Sequence, residues 1–399
     1  MEKKQENESV CSRVPNLVSN FVDSFVDFVV GGQFLPSNST TLDSKNANNA
    51  EATAATEIVT RIPSVDRLIA IGDIHGDLHK AKEALRVAQV MDENDNWIGG
   101  NTTVVQVGDL LDRGGEELKV IYLLEKLKKQ ADRSGGGFII MNGNHEIMNM
   151  EGDYRFVTPA AMEEFKSWAH WYTIGNSVKS LCKGLGVQKD IFEGISTVYP
   201  EEWRARTAAL RPGGPISARF LSTHPTVVVV GGSVFAHGGL LPAHVFHGLE
   251  RINEEVRDWI KGNKGPRGPS FLHGRDAVVW LRKYSGRSCK GEECHCTLLD
   301  QALASIPGAR RMIVGHTIQT VGINGVCGNR VIRIDVGMSR GCGNGIPEVL
   351  EIKGDKNLTV LTANPIYQAK QEPVGVKNEK PGLGILLSEK GTREIEVKV

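Results

Sequence analysis

A series of short polar clusters, most of them set off by glycine, carries the residue types that a hydrolytic metal site needs. In Gly72-Asp73-Ile74-His75-Gly76 a carboxylate and an imidazole stand two residues apart and can converge on one ion, although such a pair alone is as often structural. Gly108-Asp109-Leu110-Leu111-Asp112-Arg113-Gly114 offers a bridging carboxylate, an orienting acid and a planar cation suited to phosphate. Gly143-Asn144-His145-Glu146 adds a neutral amide ligand beside an imidazole, and His237 and His316 stand in Ala236-His237-Gly238-Gly239 and Gly315-His316-Thr317. A single histidine is more often a satisfied core or surface residue than a ligand, but the joint pattern has no ready structural explanation. Its mixture of carboxylate, amide and imidazole groups suits Mn²⁺, Fe or Zn²⁺ rather than an all-oxygen Ca²⁺ cage. A two-metal centre built from Asp73, His75, Asp109, Asn144, His237 and His316 is therefore expected.

Each cluster follows an apolar run that reads as a buried strand: Arg67–Ile71, Thr102–Val107, Gly137–Met141, Val234–Ala236 and Arg311–Val314. Val227–Val230 and Val331–Ile334 read likewise, while Leu78–Val90 and Glu116–Gln130 read as helices. Strands alternating with helices imply an α/β layered core whose strand-end loops present side chains to a shared crevice. Near the C-terminus two hairpins are expected, 349–353 with 358–362 around Gly354-Asp355, and 384–389 with 392–398 around Lys390-Gly391.

Balanced charge, 47 Lys+Arg against 47 Asp+Glu in 399 residues, gives no global basic field for nucleic acid. No apolar run approaches the roughly 20 residues of a transmembrane span. Residues 14–30 show an apolar helical stripe of Val14, Leu17, Val18, Phe21, Val22, Phe25, Val26 and Val29, with Asn20, Asp23 and Asp27 largely off it. This helix is expected to pack on its own catalytic domain; a partner or membrane-surface contact is the alternative, weakened by the lack of basic residues on the polar face. The chain thus divides into an N-terminal helical segment (1–32), a flexible linker (33–58), a catalytic domain (59–365) with a cap insertion at about 151–225, and a C-terminal tail with a hairpin (366–399). The insertion holds Trp168, Trp171, Trp203 and several arginines, and lies where substrate choice can vary without moving the metals.

Seven cysteines are too few and too scattered for a disulfide-built scaffold. For Cys289, Cys294 and Cys296 the first expectation is reduced thiols in a cytosolic protein, with disulfides in an oxidising compartment as the competitor and zinc a poor match. Glu2, Glu6 and Glu8 argue against a secretory signal or an Arg-rich transit peptide. A cytoplasmic location is expected. The cysteines and the N-terminal helix leave the mitochondrial intermembrane space open, with a regulatory or import partner at either feature.

Over roughly residues 65–340 the motifs GDIHG, GDLLDRG, GNHE, HGG and GHT resemble the phosphoprotein phosphatase branch of the metallophosphoesterases. Asn142 precedes GNHE where the mainstream eukaryotic enzymes have arginine, and Asp335-Val336-Gly337-Met338-Ser339 stands where they carry a toxin-binding segment. In both respects the chain resembles the bacterial-type Shewanella-like protein phosphatases found in plants. The resemblance implies a metallophosphoesterase β-sandwich flanked by helices, with a helical cap insertion. It also implies Asp73, His75 and Asp109 on one ion and Asp109, Asn144, His237 and His316 on the other, with Mn²⁺ favoured over Fe or Zn²⁺. Arg113 would clamp phosphate, His145 would be the general acid oriented by Asp112, and a second phosphate arginine would be Arg282 of Trp280-Leu281-Arg282, or failing that Arg275.

The activity so implied is hydrolysis of phosphoserine and phosphothreonine in proteins, with phosphotyrosine open, by direct attack of a metal-bridging hydroxide and with weak sensitivity to okadaic acid and microcystin. Two other classes compete. A small-molecule metallophosphoesterase, such as a dinucleoside polyphosphate hydrolase, would use the same ligands. A non-catalytic scaffold is disfavoured by the intact ligand set, His145 and Arg113.

Overall fold

Parallel strand pairing brings the motif loops to a common edge. The computed structural model describes residues 15–35, 58–182, 190–286, 289, 294–365 and 391–394. Its strands are β1 (Arg61–Ile62), β2 (Arg67–Ile71), β3 (Thr103–Gln106), β4 (Gly137–Ile140), β5 (Val227–Val230), β6 (Ser233–Ala236), β7 (Arg311–Val314), β8 (Asn324–Val326), β9 (Val331–Arg333), β10 (Glu348–Lys353), β11 (Asn357–Thr362) and β12 (Gly391–Glu394). They form two six-stranded sheets, ordered β1-β5-β6-β7-β9-β8 and β12-β11-β10-β2-β3-β4. Strands β2, β3 and β4 run parallel in one sheet, and β6, β7 and β9 run parallel in the other. All six therefore deliver their following loops to one end of the layered core.

Alternation along the strands shows the sandwich. Val228, Val230, Phe235, Ile313 and Ile332 join one large apolar cluster with Ile69, Ile71, Val104 and Val105 of the opposite sheet. Their neighbours Val227, Val229, Val234, Met312, Val314 and Val331 point the other way, into a second cluster. That strand period of two buries both faces of this sheet. The helices are α1 (Pro15–Gly31), α2 (Leu78–Val87), α3 (Glu117–Arg133), α4 (Asn144–Met150), α5 (Pro159–Ser180), α6 (Glu201–Leu210), α7 (Pro215–Arg219), α8 (Pro242–His247), α9 (Leu249–Ile260) and α10 (Cys296–Ala304). Sequence signals start two of them: the Asp77 side chain accepts from Lys80 N (3.2 Å) ahead of α2, and Thr158 Oγ1 accepts from Ala161 N (3.2 Å) ahead of α5, with Pro159 in the first turn.

Several boundaries move. The helix expected to Val90 ends at Val87, where Gln89 takes a positive φ of 57°. The 116–130 helix runs 117–133, and the strand expected over 102–107 is 103–106. Strands β1 and β8 were not expected; they are 2 and 3 residues long and exist by pairing with β5 and β9. The first C-terminal hairpin forms as β10 and β11. The arm 384–389 of the second lies outside the described residues, as do 1–14 and most of the 33–58 linker, while β12 pairs with β11.

Helix α1 packs on the cap helix α5, but not by the whole apolar stripe. Val22, Val26 and Val30 are buried while Leu17, Phe21, Phe25 and Phe28 stay exposed. Asp27, placed off the apolar face by the sequence, is buried and takes both guanidinium nitrogens of Arg219 in α7 (2.8 and 2.6 Å). The cysteine expectation is also corrected: Cys289 pairs with Cys294 and Cys296 with Cys327, which leaves no thiols there for zinc. Among the described residues Cys342 is a free thiol.

Candidate metal centre

His75 follows β2, Asp109 follows β3, Asn144 follows β4, His237 follows β6 and His316 follows β7, so the two sheets contribute to one buried cluster. The loops that hold it are held in left-handed backbone: φ is 49° at His75, 56° at Asp109, 70° at Asp112, 63° at Arg113 and 67° at His316. Such conformations cost of order 1–3 kcal/mol each and persist only where the surroundings over-determine them. Two glycines make the approach feasible. A Cβ on Gly143 would stand 2.3 Å from Asp109 Oδ1, and one on Gly315 would stand 2.3 Å from Asp73 Oδ1.

Asp109 is central. Its Oδ2 lies 3.2 Å from His237 Nε2, 3.6 Å from His75 Nε2 and 3.8 Å from His145 Nε2. His75 Nδ1 donates to Leu111 O and His237 Nδ1 donates to Val107 O, each at 2.9 Å. A carbonyl can only accept, so both rings carry a proton on Nδ1 and turn Nε2 toward the cluster, where a neutral ring offers its lone pair. Asn144 Oδ1 lies 2.9 Å from His237 Nε2. His316 Nε2 is buried with no hydrogen-bond partner, and its peptide N–H donates to Asp73 Oδ2 (3.0 Å). The triads His75/Asp109/His145 and Asp109/His237/His316 each bring their ligand atoms within 4.8 Å of one another.

Electrostatics fit a cation. Burial and the neighbouring Asp335 and Asp109 charges hold Asp73 well above the usual carboxylate range. Burial opposes charging His237, yet Asp109 and Asp73 raise it to about 10. Burial lowers His75 to about 4 and, with His237 and Arg282, holds His316 well below its ordinary value. Excess buried negative charge, which holds a proton on His237, beside neutral imidazoles at His75 and His316 and the orphaned Nε2 of His316, is a donor set for divalent ions.

His145 lies beside this cluster. Its Nδ1 is 2.5 Å from Asp112 Oδ2. Burial opposes its charging, but Asp109 and the Asp112 hydrogen bond raise its pKa above the ordinary value. Arg113 spreads its guanidinium 4.8 Å above the Phe156 ring, whose centroid is 5.2 Å from that of His145, and its buried Nε has no partner. Arg282 reaches the opposite rim, with Nη1 donating to Thr317 Oγ1 (2.8 Å) and His316 O (3.3 Å). Arg275 is not brought in to the same degree: it is exposed, on a cavity of about 440 Å³ shared with Gly274, Trp280 and Arg282.

Sequence reasoning left three supports unread. The Glu146 carboxylate accepts from the peptide N–H of Asp109 (2.9 Å), Leu110 (2.8 Å), Leu111 (3.1 Å) and Gly143 (2.7 Å), lacing two motif loops together. Asp335, noticed only as part of a replaced segment, is buried and hydrogen-bonded to Asp73; burial raises it to about 6. Arg206 of α6 is fully buried against Asp112. The Glu146 role could have been read from its place in GNHE; the other two had no local signal.

The Calcineurin-like phosphoesterase family matches residues 66–319. The chain is 51% identical over 406 aligned residues, covering 100% of both sequences, to Shewanella-like protein phosphatase 2 of Arabidopsis thaliana. It is 31% identical over 296 residues to Shewanella-like protein phosphatase 1 of Plasmodium berghei (strain Anka), covering 73% of this chain and 72% of that one. A crystal structure of the cold-active protein-tyrosine phosphatase of a psychrophilic Shewanella species shares the fold, with a TM-score of 0.54 at 20% identity over 76% of this chain and 80% of the other. A family match over more than half of the chain, and a relative aligned end to end, give the donor cluster its place: the chain belongs to the calcineurin-like phosphoesterases, among the Shewanella-like protein phosphatases, and is a metal-dependent protein phosphatase.

Proposed function

We propose that the chain hydrolyses phosphoserine and phosphothreonine monoesters in proteins, using His145 as the acid for the departing alcohol. The observation that carries this reading is the 2.5 Å contact of His145 Nδ1 with Asp112 Oδ2 beside the donor cluster. Family membership implies two divalent ions; Asp73, His75 and Asp109 would hold one, and Asp109, Asn144, His237 and His316 the other, with Mn²⁺ our choice over Fe or Zn²⁺. When bound, the ions supply acidified water at neutral pH and offset negative charge on the phosphoryl group.

The chain's own residues do the rest. Arg113 and Arg282 approach from two sides and would hold phosphoryl oxygens in the orientation that in-line displacement needs. Asp112 accepts from Nδ1 and, with Asp109, favours the charged imidazolium, whose Nε2–H is the proton that the leaving oxygen takes as the P–O bond breaks. Serine alkoxide is a poor leaving group, which is why that proton matters.

A second reading, phosphotyrosine, has one observation in its favour. Phe156, 37% exposed, walls the cleft between Arg113 and His145, where an aryl ring could pack. Turnover of purified protein on phosphoserine, phosphothreonine and phosphotyrosine peptides and on diadenosine tetraphosphate, with His145→Asn as control, decides among these. Faster hydrolysis of the dinucleotide than of any peptide would overturn the protein-substrate reading.

Insensitivity to okadaic acid and microcystin belongs to the same proposal. In place of a toxin platform, Asp335, Val336, Met338 and Ser339 are buried, and Asp335 is spent on Asp73. On location, disulfides persist in oxidising compartments, so the Cys289–Cys294 and Cys296–Cys327 pairs favour the intermembrane space over the cytoplasm. Alkylating the protein at harvest and counting thiols tests this; four reactive thiols at these positions would restore the cytoplasmic expectation.

A further inference from the structure

Among the described residues Arg206 is the only arginine counted with the largest fully buried side chains, and it is not a surface residue of the cap. It stands in α6, within the insertion, yet its guanidinium crosses into the catalytic layer. Nε donates to Asn149 Oδ1 (2.8 Å), and one terminal nitrogen lies 2.8 Å from Glu117 Oε2 and 3.3 Å from Asp112 Oδ1. Its plane is supported by Phe165, 4.6 Å from ring centroid to the guanidinium carbon. Asn149 completes the arrangement by donating to Asp112 Oδ1 and to His145 O, both at 2.9 Å. Glu117 Oε1 accepts the Asp112 peptide N–H (2.9 Å).

One oxygen of Asp112 therefore receives donors from Arg206 and Asn149, and the other is left for His145. A carboxylate free to rotate would exchange its oxygens and let the imidazole turn; two donors on Oδ1 and a held peptide N–H remove that freedom. Arg206 also sets one positive charge against two buried carboxylates, and an ion removed from such a group leaves its partners uncompensated.

We infer that Arg206 is a positioning residue for leaving-group protonation, acting through Asp112 on His145 and so tying the seating of the cap helix to that step. The inference rests on His145 being the leaving-group acid. In the step concerned, water supplies the oxygen of the new P–O bond; one of its protons stays on the phosphate formed, and the other passes to solvent, from which His145 is reprotonated. The bond to the leaving group breaks with its electron pair going to oxygen, and that oxygen takes the proton from His145 Nε2. A misplaced His145 hurts most when the leaving oxygen cannot depart without a proton.

The test compares p-nitrophenyl phosphate, whose leaving group departs as an anion, with phenyl phosphate, whose leaving group is more basic. Arg206→Met keeps the apolar stem on Phe165, Arg206→Lys keeps the charge, and Asn149→Leu removes the other donor. We expect Arg206→Met and Asn149→Leu to lose at least about tenfold more kcat on phenyl phosphate than on p-nitrophenyl phosphate. Arg206→Lys should recover part of that difference, and metal content should match the parent. Independently of turnover, the far-downfield proton resonance of the His145 Nδ1–H should shift or vanish in Arg206→Lys, which stays folded if any of these variants does. Equal losses on both substrates with an unchanged resonance would overturn the inference. His145→Asn separates the two claims: if it shows the leaving-group bias and the Arg206 variants do not, only Arg206 is misassigned; if it shows none, the acid assignment itself fails.

Discussion

His145 Nδ1 donates to Asp112 Oδ2 across 2.5 Å, between two side chains that are 4% and 0% exposed. A carboxylate offers no proton to that bond, so the imidazole proton available to chemistry is the one on Nε2. Asparagine at 145 keeps a polar side chain but has no titratable proton. His145→Asn should lower turnover by roughly 10²–10⁴-fold while metal per chain, read by elemental analysis, stays at the parent value. Undiminished turnover would remove His145 from the acid role.

The two candidate phosphate arginines on the far rim should separate cleanly. Arg282 is tied to Thr317 Oγ1 and His316 O, whereas Arg275 is exposed on the outer part of the shared cavity. Arg282→Ala should cost about 10–100-fold in kcat/KM, the worth of a lost charge-assisted bond. Arg275→Ala should leave kcat/KM nearly unchanged. The reverse ranking would transfer the role to Arg275.

The ligand set could be read from sequence because each member lies in a short glycine-bounded motif directly after an apolar strand, and strand-end loops in parallel sheets converge. Pairings set by distant parts of the chain could not. Arg206 meets Asp112 across 94 positions, Arg219 meets Asp27 across 192, and Cys327 meets Cys296 across 31. For α1 the apolar pattern located the helix, but which stripe turns inward was settled by the Arg219 partner waiting for Asp27. The phenylalanines on the opposite side remained outside.

That buried pair has a measurable consequence. Asp27 is 1% exposed, and burial raises its pKa against the pull of Arg219. Arg219→Ala strands the carboxyl and should cost about 1–3 kcal/mol in chemical denaturation. Arg219→Ala combined with Asp27→Asn should recover part of the loss. A single variant as stable as the parent would mean that α1 does not depend on this pair.

Glu164 predicts a pH slope. Burial raises its carboxyl from 4.5 to about 8, only partly offset by the N–H donors of Leu118 and Lys119. The folded chain thus holds this proton more tightly than the unfolded chain does. The contribution to stability is complete below pH 4.5 and is lost as pH rises through about 8. Denaturation at a series of pH values across that window should show parent stability falling more steeply than that of Glu164→Gln. Parallel curves would contradict the raised pKa.

Asp109 offers the most direct trial, because its Oδ2 faces His237 Nε2 at 3.2 Å and His75 Nε2 at 3.6 Å and would be shared by both ions. Metal content and phosphopeptide turnover should be measured on the same preparations of the parent and Asp109→Asn, after loading with Mn²⁺ and gel filtration. The parent should retain two ions per chain, as its family implies, and turn over substrate. Asp109→Asn, folded by circular dichroism, should lose metal and activity together. A folded Asp109→Asn that keeps both ions and full turnover would contradict the two-metal centre.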